Sequence, residues 1–503
     1  MSRRRSQVNA GFGWRIRPIR PGLFIARAIL CLLSIALASR PALGELAPRF
    51  QWAEVVAAGR ATLNGLAVDD AHNSYVMGWV VHTRGPPAGI PLTNFCTFIA
   101  KYDAAGRLVH VIKDGNRTAE GRWLAVDGGG NLYVAYQVGG PASIAGRPFV
   151  GQGAGRAGTA VLAKYDPLGR PLWATLEPGP GVDLITDLVV DLAGNCSWVL
   201  RLAGDRSVVT KYDPAGNRIW SHGAEGTANF RALAADGLGN VYVSGGFSGE
   251  LRCGAVRLIS NDTAPGLSHI FLTKMSAKGE VLWARQSDGP HWEGNERIAA
   301  DIAGNCAVFG EFEGGASFGK TTLKPGNAGM AAMFAARYDP DGNVLWAQLV
   351  GDGDGSGPKL IACDAGRNCY MAWLPGRAGR AEVAIAKYDP SGRNAWTRKG
   401  PVLFRFRLAA DSAGYVYLAG AFRDPTASFD SMVVDNQADP SGYPGVCLGM
   451  LDTTSPPWQG LVNANPPTRT RPPTFYMGPV QGFHPTNATS ANQPNAASSS
   501  SRH

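Results

Sequence analysis

The chain has 503 residues, 65 of them glycine, with 17% charged and 9% aromatic side chains. Its formal net charge of +9 suggests a nucleic-acid binder until the charges are located. Residues 1–44 hold eight arginines (Arg3, Arg4, Arg5, Arg15, Arg17, Arg20, Arg27, Arg40) and no acid, which leaves about +1 for the remainder and no electrostatic ground for DNA, RNA or an anionic membrane surface as partner.

In chain order, the first predicted element is a leader. The arginine-rich start precedes the apolar run from Ala28 to Ala38 (AILCLLSIALA), which is too short to span a bilayer and suits the core of a Sec-type signal peptide. Ala36-Leu37-Ala38 and Ala42-Leu43-Gly44 offer small residues for cleavage, so residues 1–44 are expected to leave the mature chain after Ala38 or Gly44. Retention as an uncleaved anchor is the alternative, with Arg27 standing against it. The mature chain is expected to be secreted, periplasmic or on the cell surface, with no transmembrane segment.

The next 400 or so residues are dominated by two alternating motifs. The first is an apolar pair, Asp, a short turn and a new apolar strand. It occurs seven times: Asp69 (VDDAHNSYVMG), Asp127 (VDGGGNLYVAY), Asp191 (VDLAGNCSWVL), Asp236 (ADGLGNVYVSG), Asp301 (ADIAGNCAVFG), Asp364 (CDAGRNCYMAW) and Asp411 (ADSAGYVYLAG). The second is a strand ending in Lys-Tyr-Asp, a glycine turn and a strand usually bearing Trp. Its best copies begin at Lys164 (KYDPLGRPLW), Lys211 (KYDPAGNRIW), Arg337 (RYDPDGNVLW) and Lys387 (KYDPSGRNAW). Lys274 (KMSAKGEVLW) begins a weaker copy, Lys101 (KYDAAGRLVH) begins one with His110 in the Trp position, and Leu448 to Trp458 is frayed.

Both motifs are turn chemistry. Asp accepts hydrogen bonds from backbone N–H groups ahead of it, Pro presets φ, and Gly or Asn closes the turn in the left-handed region. The flanks read as strands. Each repeat is therefore two hairpins, strands a–b and c–d, and four antiparallel strands make one propeller blade. Asp69 to Asp411 is 342 residues over six intervals, a mean of 57, so seven repeats fit between residues 50 and 458. The expectation is an all-β, seven-bladed β-propeller. Trp52 in RFQWAEVV matches the strand-d pattern of LWAQLV at Trp346, yet no strand c precedes it. It is expected to be the outer strand of the last blade, so that an N-terminal strand closes the ring.

The runs GEFEGGASFGKTTLKPG (Gly310 to Gly326) and AARYDPDGNVLWAQ (Ala335 to Gln348) resemble the bacterial SBBP β-propeller repeat over about residues 50–455. The resemblance implies an exported or surface bacterial protein and names no reaction. The repeats ending near Lys211 and Lys387 lack the FG-x-x-x-L stretch of that pattern.

Alternating strand direction puts the a–b and c–d turns on one face and the b–c and d–a connections on the other. From motif Asp to the next motif Lys or Arg, the spacings are 32, 37, 20, 38, 36 and 23, so two blades are trimmed and this second face varies. A ligand, if any, is expected there or at the channel mouth on that side. His291, Trp292, Glu293 and Glu296 form the connection richest in functional side chains; they suit a sugar or a cation, and equally a solvent-exposed linker. Asp352, Asp354 and Ser356 match the front half of a calcium loop, but Leu360 and Cys363 stand where the later ligands belong, so a polar connection is the simpler reading. Asp339-Pro-Asp341-Gly-Asn343 reads as a turn, and the repeated Trp residues as blade-to-blade packing. No other cofactor is expected, since the eight His are scattered and no phosphate-binding loop or nucleophile elbow occurs.

Seven Cys follow the leader; Cys363 and Cys369 flank one turn and can face each other across it, though small buried strand residues are the simpler reading. From residue 459 the chain becomes rich in Pro, Asn, Thr and Ser and is expected to be disordered. The function expected is non-catalytic: a monomeric binding or scaffolding propeller for a protein or glycan partner. A quinoprotein- or lyase-like enzyme and a propeller lectin remain the alternatives.

Overall fold

The computed structural model describes residues 48–454, apart from 58–59, 83–94, 152–157, 178–180, 205, 261–268, 289–296, 327–330, 353–358, 376–380 and 436–443. The leader and the C-terminal segment lie outside the described residues. Among the described residues every regular element is a strand, and no helix is long and apolar enough to cross a membrane.

Of the 35 strands, 28 form seven four-stranded antiparallel blades. In order a to d, the first blade is β2 (Arg60–Val68), β3 (Ser74–His82), β4 (Cys96–Tyr102) and β5 (Leu108–Asp114). The second is β6 (Ala119–Val126), β7 (Leu132–Val138), β10 (Thr159–Tyr165) and β11 (Pro171–Leu176). The third is β12 (Val182–Val190), β13 (Cys196–Leu202), β14 (Arg206–Tyr212) and β15 (Arg218–Gly223). The fourth is β16 (Glu225–Ala235), β17 (Val241–Cys253), β19 (His269–Met275) and β20 (Val281–Gln286). The fifth is β21 (Arg297–Ala300), β22 (Cys306–Phe312), β25 (Ala332–Tyr338) and β26 (Val344–Asp352). The sixth is β27 (Lys359–Cys363), β28 (Cys369–Trp373), β29 (Glu382–Tyr388) and β30 (Asn394–Val402). In the seventh, β31 (Arg405–Ala410), β32 (Val416–Phe422) and β35 (Gly445–Leu451) are completed by β1 (Phe50–Ala57), with Trp52 opposite Met450. The N-terminal strand thus closes the ring, and it does so by covering the outer edge of β35.

The inner strands pack against one another round the axis, from β2 through β6, β12, β16, β21 and β27 to β31 and back to β2. The motif residues fasten the blades. In the third blade, Asp191 Oδ1 accepts the backbone N–H groups of Ala193 (3.1 Å) and Asn195 (2.8 Å), while Oδ2 meets Lys211 Nζ at 2.8 Å. The cation or tyrosine of one blade then reaches the left-handed residue in the next blade's a–b turn: Tyr133 to Gly194 O, Lys211 to Gly239 O, Tyr242 to Gly304 O, Arg337 to Arg367 O and Tyr417 to His72 O. The strand-d tryptophans do the same at the rim. Trp52, Trp173, Trp220, Trp283 and Trp346 each donate Nε1–H to a carbonyl in the following blade's c–d turn. They are junction residues, as their equivalent positions suggested.

The longer b–c connections of blades two, four, five and seven fold into small hairpins, and among the described residues the trimmed blades three and six have none. The hairpin β33 (Thr426–Phe429) and β34 (Met432–Asp435) lies against β30 and β1, where Phe429 meets the ring of Phe50 edge-on at 5.0 Å. It lies between the outer strands of the sixth and seventh blades.

Candidate functional site

The axial channel gathers six arginines among the described residues. Its upper cavity, about 500 Å³, lies at the starting halves of the inner strands, on the side of the b–c and d–a connections. Arg122, Arg201, Arg231, Arg297, Arg405 and Arg407 line it, with Asn64, Thr186 and Trp123 between them. A smaller space of about 180 Å³ continues along the axis toward Leu66, Asp187 and Leu360.

Local backbone irregularity puts four of these residues there. Register breaks skip Asn64 in β2, Arg122 in β6, Thr186 in β12 and Arg231 in β16, at the same height in four successive blades. An extra residue in a strand leaves the ladder, bends the strand and re-aims its side chain. The four share a position five residues before the motif Asp. In blades five and seven the described inner strands pair without a break, and the arginines come one place later, at Arg297 and Arg407.

The bulged backbone is held from the neighbouring blade. Asn64 Nδ2 donates to Gly121 O at 2.7 Å, Trp123 Nε1 to Ile185 O at 2.8 Å, and Thr186 Oγ1 to Phe230 O at 3.3 Å. Arg407 Nε donates to Asn64 O at 3.2 Å and Arg297 Nη1 to Arg231 O at 3.4 Å. Trp123 has the guanidiniums of Arg297 and Arg407 over its ring, at 5.5 and 5.7 Å from its centroid.

Among the described residues, two carboxylates, Glu120 and Asp187, lie near these guanidiniums. Glu120 takes Arg122 Nη1 at 3.3 Å and Asn64 Nδ2 at 3.1 Å. Asp187 is half-buried and already accepts Leu188 N and Leu233 N, at 2.9 and 2.8 Å. Burial raises the Asp187 carboxyl above its ordinary range, and the charges of Arg297 and Arg407 oppose that only in part. Burial, with Arg297 and Arg405 nearby, pushes Arg407 down to about 10. Arg122 Nε is buried with no hydrogen-bond partner among the described residues. Like charges held this close in a partly desolvated space repel, and a bound anion relieves that repulsion while accepting directed N–H bonds. Among the described residues, the lining of the upper cavity includes no His, Cys, Lys or carboxylate.

His291, Trp292, Glu293 and Glu296 lie outside the described residues, as do Asp354 and Ser356 and the side chain of Asp352. The Asp339 group is a turn: its Oδ1 accepts Asp341 N and Asn343 N at 3.0 and 2.8 Å. Among the described residues no three His, Cys, Asp or Glu side chains stand together as metal ligands would. The arginine ring was missed because a net charge near neutral conceals where the charges gather. The signal available was a polar or basic residue four or five places before each motif Asp.

No known protein family matches the chain, and no curated protein matches its sequence. Solved structures are similar only in fold. They include the Dos1 propeller, 10% identical with a TM-score of 0.44 over 82% of this chain and 96% of that one. The β-propeller domain of the Trilobed protease from Pyrococcus furiosus is 8% identical, with a TM-score of 0.43 over 75% and 98%. An ulvan lyase from a new family of polysaccharide lyases is 11% identical, with a TM-score of 0.40 over 75% and 92%. At that distance none of them bears on what this channel binds.

Proposed function

We propose that this propeller is an exported binding protein whose ligand is compact and multiply anionic, seated in the channel mouth on the variable-loop face. The arginine ring carries this reading: four bulged positions and two unbroken inner strands direct basic and amide side chains into one cavity. The signal-like leader and the resemblance to SBBP repeats support export. Because two guanidiniums already lie over Trp123, flat sugar stacking has little ring surface to use, and charge dominates recognition.

Titration calorimetry of the mature chain with citrate, pyrophosphate and a glucuronate oligosaccharide tests the proposal. Binding should weaken steeply with added salt, and Arg231→Ala with Arg407→Ala should remove it. No heat from any of the three probes at low salt, or equal heat from the double variant, would sink it. The quinoprotein alternative gains one observation, since its pyrroloquinoline cofactor is itself a tricarboxylate that suits an arginine-lined axial pocket. Adding that quinone to the same titration, with dye reduction as readout, separates an enzyme from a binding protein.

A further inference from the structure

In each blade, one residue pair closes the a–b hairpin just before the Asp turn. The pairs are Val68–Ser74, Val126–Leu132, Val190–Cys196, Ala235–Val241, Ala300–Cys306, Cys363–Cys369 and Ala410–Val416. A cysteine on the b side recurs in three blades and packs there as a small apolar residue. Only the sixth blade adds one on the a side, where the other blades carry Val or Ala. The two Sγ atoms are 2.9 Å apart. The next pair toward the turn carries the Asp364 N to Asn368 O hydrogen bond, so the cysteines occupy a non-hydrogen-bonded place in the ladder. Such pairs hold their Cα atoms about 4.5 Å apart, within the span a disulfide needs.

We propose that Cys363 and Cys369 are a thiol–disulfide site that covalently closes the sixth blade's inner hairpin. Cys363 is half-buried and the more exposed of the two, whereas Cys369 is buried. The Cys363 thiolate attacks one sulfur of an oxidised donor such as oxidised glutathione. The donor's S–S bond breaks, and its departing thiolate takes up the proton that Cys363 lost. The Cys369 thiolate then attacks Cys363 Sγ, which expels the second donor thiol with the other proton. Two electrons pass to the donor, and no further reactant is needed.

The bond forms beside a blade junction. Arg337 Nη1 lies 3.4 Å from Cys369 Sγ, and the same guanidinium holds Asp301 of the fifth blade and Arg367 O of the sixth, each at 2.5 Å. The redox state of the pair is therefore set next to the arginine that ties those two blades together.

The experiment equilibrates the full chain in glutathione buffers of rising oxidised fraction, quenches with acid, alkylates under denaturing conditions and maps peptides by mass spectrometry. A Cys363–Cys369 linked peptide lighter by two hydrogens is expected, reversible by reduced glutathione, with alkylation of both cysteines falling about tenfold or more. Cys363→Ala, which installs the residue of blades five and seven, should abolish the link and leave the other cysteines fully alkylated. Full alkylation of both residues in the most oxidising buffer overturns the proposal. So does a persistent glutathione adduct on Cys363 or a link to any other cysteine. The wild-type map decides even if the variant does not fold.

Discussion

The seventh blade lacks the cation that the other blades set opposite the second residue of strand b, and a histidine from the first blade takes its place. Lys101, Lys164, Lys274 and Lys387 stand opposite Tyr75, Tyr133, Tyr242 and Tyr370, and Arg337 and Lys211 hold the matching place in blades five and three. Opposite Tyr417 stands Met450. The carboxylate of Asp411 is fully buried, and His72 Nδ1 meets its Oδ2 at 2.8 Å across the ring closure. The other side-chain contact to that oxygen is Tyr417 Oη, at 3.4 Å. Removing the imidazole from a wholly buried ion pair costs about 3–5 kcal/mol. The imidazole is 36% exposed, so water can replace part of it, and about 1–2 kcal/mol is the reasonable expectation for His72→Ala. His72→Gly should lose less, by about 1 kcal/mol, because residue 72 has φ of 62° and glycine relaxes that conformation. Met450→Lys should be neutral or harmful in the wild type, where His72 already occupies the Asp411 carboxylate. In the His72→Ala background it should restore at least half of the loss. Equilibrium urea unfolding of the four chains gives the coupling directly. Strictly additive effects would refute the reasoning, since they would mean that the two side chains do not serve the same carboxylate.

Other expectations follow from the same packing. Trp283→Phe removes the Nε1 bond to Pro340 O and part of a buried ring, and should lower stability by about 1–3 kcal/mol in the same assay. Deleting residues 50–57 bares the edge of β35; light scattering should show association or aggregation, and a monodisperse monomer would argue that another segment covers that edge. The c–d turn carboxylates Asp103, Asp213, Asp339 and Asp389 are held below the ordinary aspartate range. Asn217 does so for Asp213, and at the others hydrogen bonds from turn N–H groups and side chains outweigh burial. Their stabilisation is complete above about pH 4, the unfolded value, and is lost as pH falls through their lower folded values. Thermal midpoints should therefore be insensitive to these groups from neutral pH to about 5 and fall below about 4. Asp187→Asn removes a negative charge beside Arg297 and Arg407 and should tighten citrate binding severalfold; weaker binding would show that Asp187 orients the guanidiniums.

The seven blades, the closing role of Trp52 and the junction role of the tryptophans were legible in the sequence. Each is written by local chemistry: an Asp, a Gly or Asn three or four residues after it, and strands whose length and apolar pattern allow one partner on each side. The repeat also showed where blades are trimmed, because a connection of 20 residues has no length for an extra hairpin. The arginine ring was not legible in this way. Its members lie on five blades, and no stretch of chain holds more than two of them close together. What gathers them is closure, which brings the inner strands round one axis, and the bulges, which turn Asn64, Arg122, Thr186 and Arg231 out of their ladders. The sequence by itself set the architecture, because turns and strand pairing act over a few residues; the channel's charge was decided only by the tertiary structure, because electrostatic concentration depends on distances that exist once the ring is closed.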